Sequence, residues 1–245
     1  MTQIDRLSAL MARFALRVEV STAQEANLFV LQGKGDGAHV IRLTPRKTGP
    51  ARRDPREIRA ALRIDWADAE NPLAAALPDV LEQSVDPGSD LDPILGLIRA
   101  EIDAPRCGGA SVLGRLAEIL IVRLLRARIE AGAVPRGMLG GLADPRLARA
   151  LVAMHDRPGE AWSNDALARA AGMSRSRFIA QFGRAVGLSP QAYLRGWRLA
   201  LARQDLTRGD RIDSVARRYG YGSGEALAHM VRRETGAPPR ALRPA

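Results

Sequence analysis

The stretch Leu167-Ala-Arg-Ala-Ala-Gly172 returns near the end of the chain as Val215-Ala-Arg-Arg-Tyr-Gly220. A serine follows each copy, Ser174 after the first and Ser223 after the second, and the spacing between these serines is kept downstream. Each copy predicts a short helix, a tight turn at a glycine that accepts positive φ, and a second helix with a serine N-cap. Two short helices joined in this way are typical of a helix-turn-helix.

Apolar residues four positions apart predict the buried face of each second helix. Phe178 and Phe182 form this pair in the first copy, and Leu227 and Val231 form it in the second. The opposite faces are the candidate binding surface. In the first copy this surface contains Arg175, Ser176, Arg177, Ala180 and Arg184. In the second copy it contains Gly224, Glu225, Ala226, Ala228, His229, Arg232 and Arg233.

Positive charge is concentrated in the same part of the chain. The 245 residues carry 37 Lys and Arg against 27 Asp and Glu, a net charge of +10. Residues 141–245 hold 18 arginines and 9 carboxylates, whereas residues 1–140 are almost balanced, with 19 basic and 18 acidic groups. Such a segment attracts a polyanion. A contribution to solubility is the alternative, but the repeat favours nucleic acid.

The N-terminal part predicts a small sheet followed by helices. Short alternating runs predict strands at 17–20, 27–32, 38–43 and 62–66. Residues 44–57 predict a polar loop, and the prolines between residues 72 and 106 predict short helical pieces. A long helix is expected at about 111–131, capped by Ser111 and ended by Gly132. Its leucine stripe fits either core or a dimer interface.

A linker and an all-helical region complete the pattern. Residues 132–141 contain glycines and a proline and predict a linker. Beyond the linker, glycine and proline breakers separate candidate helices at about 144–156, 164–171, 174–186, 190–207, 211–219 and 223–235.

The sequence argues against catalysis and against a metal site. Cys107 is the one cysteine, which excludes an intramolecular disulfide and a thiolate zinc cluster. Of the three histidines, His39 reads as structural, and no arrangement with serine or cysteine indicates a nucleophilic triad. We therefore expect no enzyme, no cofactor and no metal. Charges interrupt the first 20 residues, and long apolar runs are lacking, so we expect neither a signal peptide nor a membrane partner, and a cytoplasmic location.

Residues from about 144 onward resemble the DNA-binding domain of the AraC/XylS family of bacterial transcriptional regulators. The resemblance is carried by Trp162–Ser174, Phe178, Phe182, Gly187-Leu-Ser-Pro190, Tyr193–Ala200, Val215–Tyr221 and Gly236–Arg243. It implies two helix-turn-helix units, at about 164–185 and 212–235, which one helix joins and which enter successive major-groove turns of double-stranded DNA. Ala180 stands where the family usually has a base-reading arginine.

The groove chemistry expected of these residues is mixed. Serine can read either type of base edge, alanine can meet a thymine methyl, and Glu225 can accept from cytosine N4. The candidate arginines are expected to contact phosphate. His229 on the second face is also expected to read a base edge.

The N-terminal half resembles the cupin-type sensor region of some AraC-family regulators. The resemblance is carried by Asp65–Leu73, Ala76-Leu-Pro78 and Ala104–Gly109, followed by the leucine-rich helix. The predicted fold class is therefore α+β: a reduced cupin-like regulatory or dimerisation domain at 1–137, β-rich to residue 70 and helical at 71–132, and an all-α DNA-binding domain at 138–245. The resemblance implies RNA polymerase as a partner and leaves a small-molecule effector and a homodimer open. The alternative is a ligand-independent architectural DNA-binding protein.

Overall fold

The structure is a computed structural model that describes residues 16–49, 56–66, 74, 77–130 and 136–242. These residues divide into two compact units, one ending at residue 130 and one beginning at residue 136. Among the described helices, none has the length and apolar character that a bilayer span requires.

The first unit is built on an antiparallel sheet of five described strands. The strands are β1 (Arg17–Val20), β2 (Leu28–Gln32), β3 (His39–Leu43), β4 (Ile58–Asp65) and β5 (Leu81–Val85), in the order β1-β4-β2-β3-β5. Strand β2 lies in the centre, and four of its five residues are buried because both faces of the sheet are covered there. Asn27 extends the sheet, since its side-chain amide donates to the Ile64 carbonyl and accepts from the Ile64 amide.

The strand β5 corrects the prediction of helical pieces between residues 72 and 106. Its Glu82, Gln83 and Ser84 are polar, and only its end residues Leu81 and Val85 are buried. Strand β5 pairs with β3 alone and exposes most of its side chains, so its sequence lacks the alternation of apolar residues that predicts a strand. The sheet therefore continues beyond residue 70. Most of the 65–73 segment lies outside the described residues.

Two helices follow the sheet, α1 (Asp92–Asp103) and α2 (Gly109–Glu130). Helix α2 begins two residues before Ser111, so the predicted Ser111 cap is wrong, and Gly132 lies outside the described residues. The leucine stripe of α2 is buried within the unit, as its leucines at 113, 116, 120 and 124 show. The core interpretation of this stripe is confirmed.

The second unit is helical throughout its described length. Its helices are α3 (Met138–Ala143), α4 (Pro145–Asp156), α5 (Asn164–Ala171), α6 (Arg175–Val186), α7 (Pro190–Thr207), α8 (Ile212–Arg218) and α9 (Gly224–Thr235), followed by a 3-10 turn at Pro239–Leu242. The six helices predicted beyond the linker correspond to α4–α9. Helix α3 corrects the linker prediction, because residues 138–142 pack into the core and a Cβ on Gly141 would press against the side chains of Leu151 and Val186.

Candidate nucleic-acid interface

The two predicted turns have the same backbone geometry. Gly172 ends α5 with φ of 63°, and the following Met173 amide donates to the Ala168 carbonyl at 2.9 Å. Gly220 has φ of 72°, and the Tyr221 amide donates to the Ala216 carbonyl, also at 2.9 Å. A left-handed residue is needed at both positions, which explains the two glycines. The predicted helix-turn-helix repeat is confirmed.

Serine capping differs between the two second helices. The hydroxyl of Ser223 accepts from the Ala226 amide at 3.1 Å and caps α9 as predicted. Ser174 occupies the N-cap position of α6 in an extended conformation, but within the described residues its hydroxyl accepts no capping hydrogen bond. The predicted side-chain cap is therefore wrong for Ser174, although the helix begins where the sequence predicted.

Helix α6 presents the first face as the sequence predicted. The rings of Phe178 and Phe182 are fully buried, with centroids 5.5 Å apart, and Phe182 also meets Tyr193 at 5.7 Å. With this side anchored in the core, all five candidate residues of the first face are exposed. Arg175 approaches the Asp165 carboxylate at 3.6 Å, a weak pairing at an exposed position.

Helix α9 presents most of the second face. Leu227 and Val231 are fully buried, and the side chains opposite them face solvent. The exposed candidates are Glu225, Ala226, His229, Arg232 and Arg233, and Ala228 is half-buried.

Gly224 corrects the predicted second face. It is buried, and a side chain at this position would overlap the carboxylate of Asp213 on α8. The absence of a side chain thus allows α8 and α9 to approach closely, and Gly224 does not belong to the exposed surface.

Helix α7 packs against the second helix-turn-helix unit through buried polar contacts that sequence reasoning missed. The carboxylate of Asp205 is almost fully buried and accepts from the Tyr219 hydroxyl and from Arg218 on α8, each at 2.5 Å. Arg218 also pairs with the exposed Asp210 at 2.7 Å. The sequence does contain one indication that Asp205 is buried: it lies four residues after the buried Leu201, on the apolar side of α7.

His155, in the last turn of α4, lies buried inside the second compact unit. Its Nε2 atom is 2.7 Å from the Tyr193 hydroxyl, and its ring centroid is 4.2 Å from that of Trp197. Burial disfavours the charged imidazolium and lowers the pKa of His155 to about 3. Because the ring is buried and neutral, His155 acts as a structural group of the core.

The exposed surfaces differ in what they can bind. The first face carries three arginines, which suit phosphate oxygens. The second face places a carboxylate and an imidazole beside two arginines, and these two groups can exchange hydrogen bonds with base edges.

Comparisons with known proteins agree with both units. The model of a helix-turn-helix domain family matches residues 167–245, and that of a cupin family matches residues 24–130. An AraC-like transcription regulator of Streptomyces lividans is 41% identical over 126 residues, which are 51% of this chain and 41% of the relative. A similarly named protein of Streptomyces antibioticus is 38% identical over 130 residues, which are 52% of this chain and 43% of the relative.

A solved structure is also similar: the DNA-binding domain of AdpA, a global transcriptional factor, in complex with a target DNA. The match has 33% identity and a TM-score of 0.38, and it covers 41% of this chain and 90% of that chain. The two Streptomyces relatives are matched over only about two fifths of their length.

Proposed function

The chain belongs to the AraC-type family of helix-turn-helix regulators with a cupin-type N-terminal region, and on this premise we propose that it regulates transcription by binding double-stranded DNA at specific sequences. The described relatives are regulators and not enzymes, which supports a non-enzymatic role.

One observation carries the proposal. The helices α6 and α9 each follow a turn with a left-handed glycine, each bury one apolar side, and each expose the opposite side to solvent. An exposed helix of this kind fits the major groove, whose width accepts one α-helix. The 18 arginines against 9 carboxylates in residues 141–245 supply the attraction to phosphate.

We assign different tasks to the exposed residues. Arg175, Arg177 and Arg184 on α6 contact phosphates, together with Arg232 and Arg233 on α9. The base edges are read mainly by Glu225 and His229, with Ser176 as a further hydrogen-bonding group. The small side chains of Ala180, Ala226 and Ala228 allow close approach and apolar contact with thymine methyl groups.

The test is selection of bound duplexes from a random library with the full-length protein, followed by titration against the selected site and a scrambled duplex. We expect a preferred sequence and a steep salt dependence. Six to ten phosphate contacts lower the affinity by about 10³–10⁵ between 50 and 200 mM salt. Affinity that stays flat over this range contradicts the proposal.

The first unit is proposed to be the regulatory and dimerisation domain, with a boundary near residue 137. Because the leucine stripe of α2 is buried, dimerisation needs the other face of α2. This face exposes Val112 and Ile119 and forms a shallow groove whose lining includes Glu118 and Arg123. Glu118 pairs with Arg115 and Arg123 pairs with Asp90 within the chain, and a second copy packed antiparallel would extend these pairs across the interface.

The remaining partners follow from the same family. We propose RNA polymerase as the protein partner, a cytoplasmic location where the chromosome is accessible, and a small-molecule effector for the first unit. An architectural, ligand-independent DNA-binding protein is the competing function. Selection distinguishes the two, because an architectural protein would enrich no defined sequence, or only flexible and A·T-rich duplexes.

A further inference from the structure

The loop before the first helix-turn-helix unit touches the turn of the second helix-turn-helix unit. This loop, residues 157–163, connects α4 to α5. Gly159 lies against the backbone of Arg218 so closely that any side chain would overlap the Arg218 carbonyl oxygen. In return, a Cβ atom on Gly220 would lie only 2.6 Å from the Gly159 carbonyl oxygen. The two chain segments therefore meet backbone to backbone, at the turn that precedes α9.

Arg198 of the connecting helix α7 holds this contact from a third side. Its Nε atom donates to the Pro158 carbonyl and its Nη2 atom to the Glu160 carbonyl, each at 2.6 Å. The guanidinium also lies beside the second turn, with Nη2 3.5 Å from the position of a Cβ on Gly220. The side chain is half-buried, and this desolvation lowers the pKa of Arg198. A planar fork with two donors fits two neighbouring carbonyls in a way that a single ammonium does not.

Hydrogen bonds and a ring contact also brace the loop, and they connect it to α5 of the first helix-turn-helix unit. The Trp162 indole donates to the Arg157 carbonyl at 3.0 Å, and the Arg157 guanidinium lies 4.8 Å from the centre of the Trp162 ring. Gln191 at the start of α7 donates to the Trp162 carbonyl at 2.8 Å. Ser163 then caps α5 directly after the loop.

We propose that Arg198 is a positioning residue that fixes the distance and angle between α6 and α9, so that the protein accepts only one spacing between the two DNA segments that it reads. This inference rests on the proposed DNA-binding function. A single connecting helix leaves bending freedom at its two ends. The contact between the loop and the second turn adds a second connection between the two helix-turn-helix units and restricts that bending. Such preorganisation reduces the ordering cost of binding both segments together.

The first test needs no DNA. Spin labels are attached at Ala180→Cys on α6 and Ala226→Cys on α9, both exposed positions, in a Cys107→Ser background because Cys107 is exposed. Pulsed electron-electron double resonance should give a narrow distance distribution for this protein and a distribution about twofold broader for Arg198→Met. Arg195→Met is the matched control, since it removes an exposed arginine from the same helix, and it should stay narrow. Equal widths for Arg198→Met and the control overturn the inference.

The second test uses the selected duplex with zero, two or five base pairs inserted between its two halves. Five base pairs turn one half to the opposite face of the DNA, since a helical turn is about 10.5 base pairs. The original protein and Arg195→Met should lose at least about tenfold in affinity on insertion. Arg198→Met should bind the unmodified duplex more weakly and lose less than about threefold on insertion, in keeping with a looser link.

Two further outcomes separate this inference from the proposed function. If the original protein selects no DNA sequence, the proposed function fails, while the distance measurement still tests the role of Arg198. If Arg198→Met unfolds, Arg198→Lys takes its place, because lysine keeps the charge but loses the two-carbonyl fork. A spacing profile for Arg198→Lys equal to that of the original protein then overturns the inference.

Discussion

The imidazole of His155 and the phenol of Tyr193 form a hydrogen bond of 2.7 Å in the core of the second unit. Trp197 closes the same site with its ring centroid 4.2 Å from that of His155. The imidazole is buried and therefore neutral, and its pKa is about 3 compared with 6.5 for an ordinary histidine. This difference makes the stability of the unit sensitive to pH.

We predict that the protein loses stability as the pH falls below about 6.5. The folded-state pKa of His155 is lowered, so in this range the unfolded chain takes up the proton and the folded chain does not. The contribution of the buried neutral His155 to the free energy of unfolding is therefore fully present above pH 6.5 and decreases as the pH falls towards 3. At pH 5 the loss is about 2 kcal/mol. Urea denaturation at pH 7 and pH 5 measures it.

His155→Gln should remove most of this pH dependence, whereas His229→Gln, at an exposed position, should retain it. An unchanged difference between pH 7 and pH 5 in His155→Gln would falsify the assignment.

Phe182→Ala should destabilise the protein by about 3–5 kcal/mol, because it empties a fully buried site between two aromatic rings. Chemical denaturation followed by circular dichroism measures the change. Arg177→Ala on the exposed side of the same helix is the control and should alter stability by no more than about 0.5 kcal/mol. Unchanged stability of Phe182→Ala together with lost DNA binding would place this ring at the DNA surface instead.

Asp205→Asn should cost about 1.5–3 kcal/mol, since it removes the charge from a buried group that accepts hydrogen bonds from Arg218 and Tyr219. Asp210→Asn removes the other carboxylate on Arg218, but this pair is exposed and should cost at most about 1 kcal/mol. The same denaturation experiment compares the two variants. Equal effects would mean that burial of Asp205 does not determine the strength of the network.

Arg177→Ala and His229→Ala should affect DNA binding in different ways. Loss of a phosphate contact should weaken binding to the selected site and to a scrambled duplex by similar factors. Loss of a base contact at His229 should weaken binding to the selected site by about 1–3 kcal/mol and leave the scrambled duplex almost unaffected. Competition assays with both duplexes separate the two roles. If Arg177→Ala loses discrimination and His229→Ala keeps it, the assignment is inverted.

Ile119→Glu should shift a dimer at micromolar concentration to monomer, because it places a charge at the centre of the exposed face of α2. Sedimentation velocity measures the distribution. Leu97→Glu is the control, as it adds the same charge at another exposed apolar residue of the first unit. A monomeric original protein would exclude this interface.

The helical unit was predictable because its signals are local. Breakers such as Gly172 and Gly187 mark helix ends, and the apolar pair Phe178 and Phe182 determines which face is buried. These features act within a few residues of one another, so a sequence displays them directly. Five of the seven candidates on α9 are exposed for the same reason.

The missed features depend on residues that are distant in sequence. Strand β5 is specified by pairing with β3, about 40 residues earlier, and its own residues are mostly polar. Gly224 looked exposed from its place in the repeat, yet Asp213 of the neighbouring helix covers it. The Arg198 contacts with Pro158 and Glu160 likewise join two separate segments, and a pattern within one helix cannot reveal them.

The glycine-to-glycine contact also determines how new DNA specificities could be engineered on this scaffold. Gly159 and Gly220 have no room for a side chain, so a mutant library should leave both codons unchanged. The exposed positions of α6 and α9 carry no such restriction and can be randomised together. A library restricted in this way would search base preference while keeping the framework that presents it, and fewer of its members would be lost to misfolding.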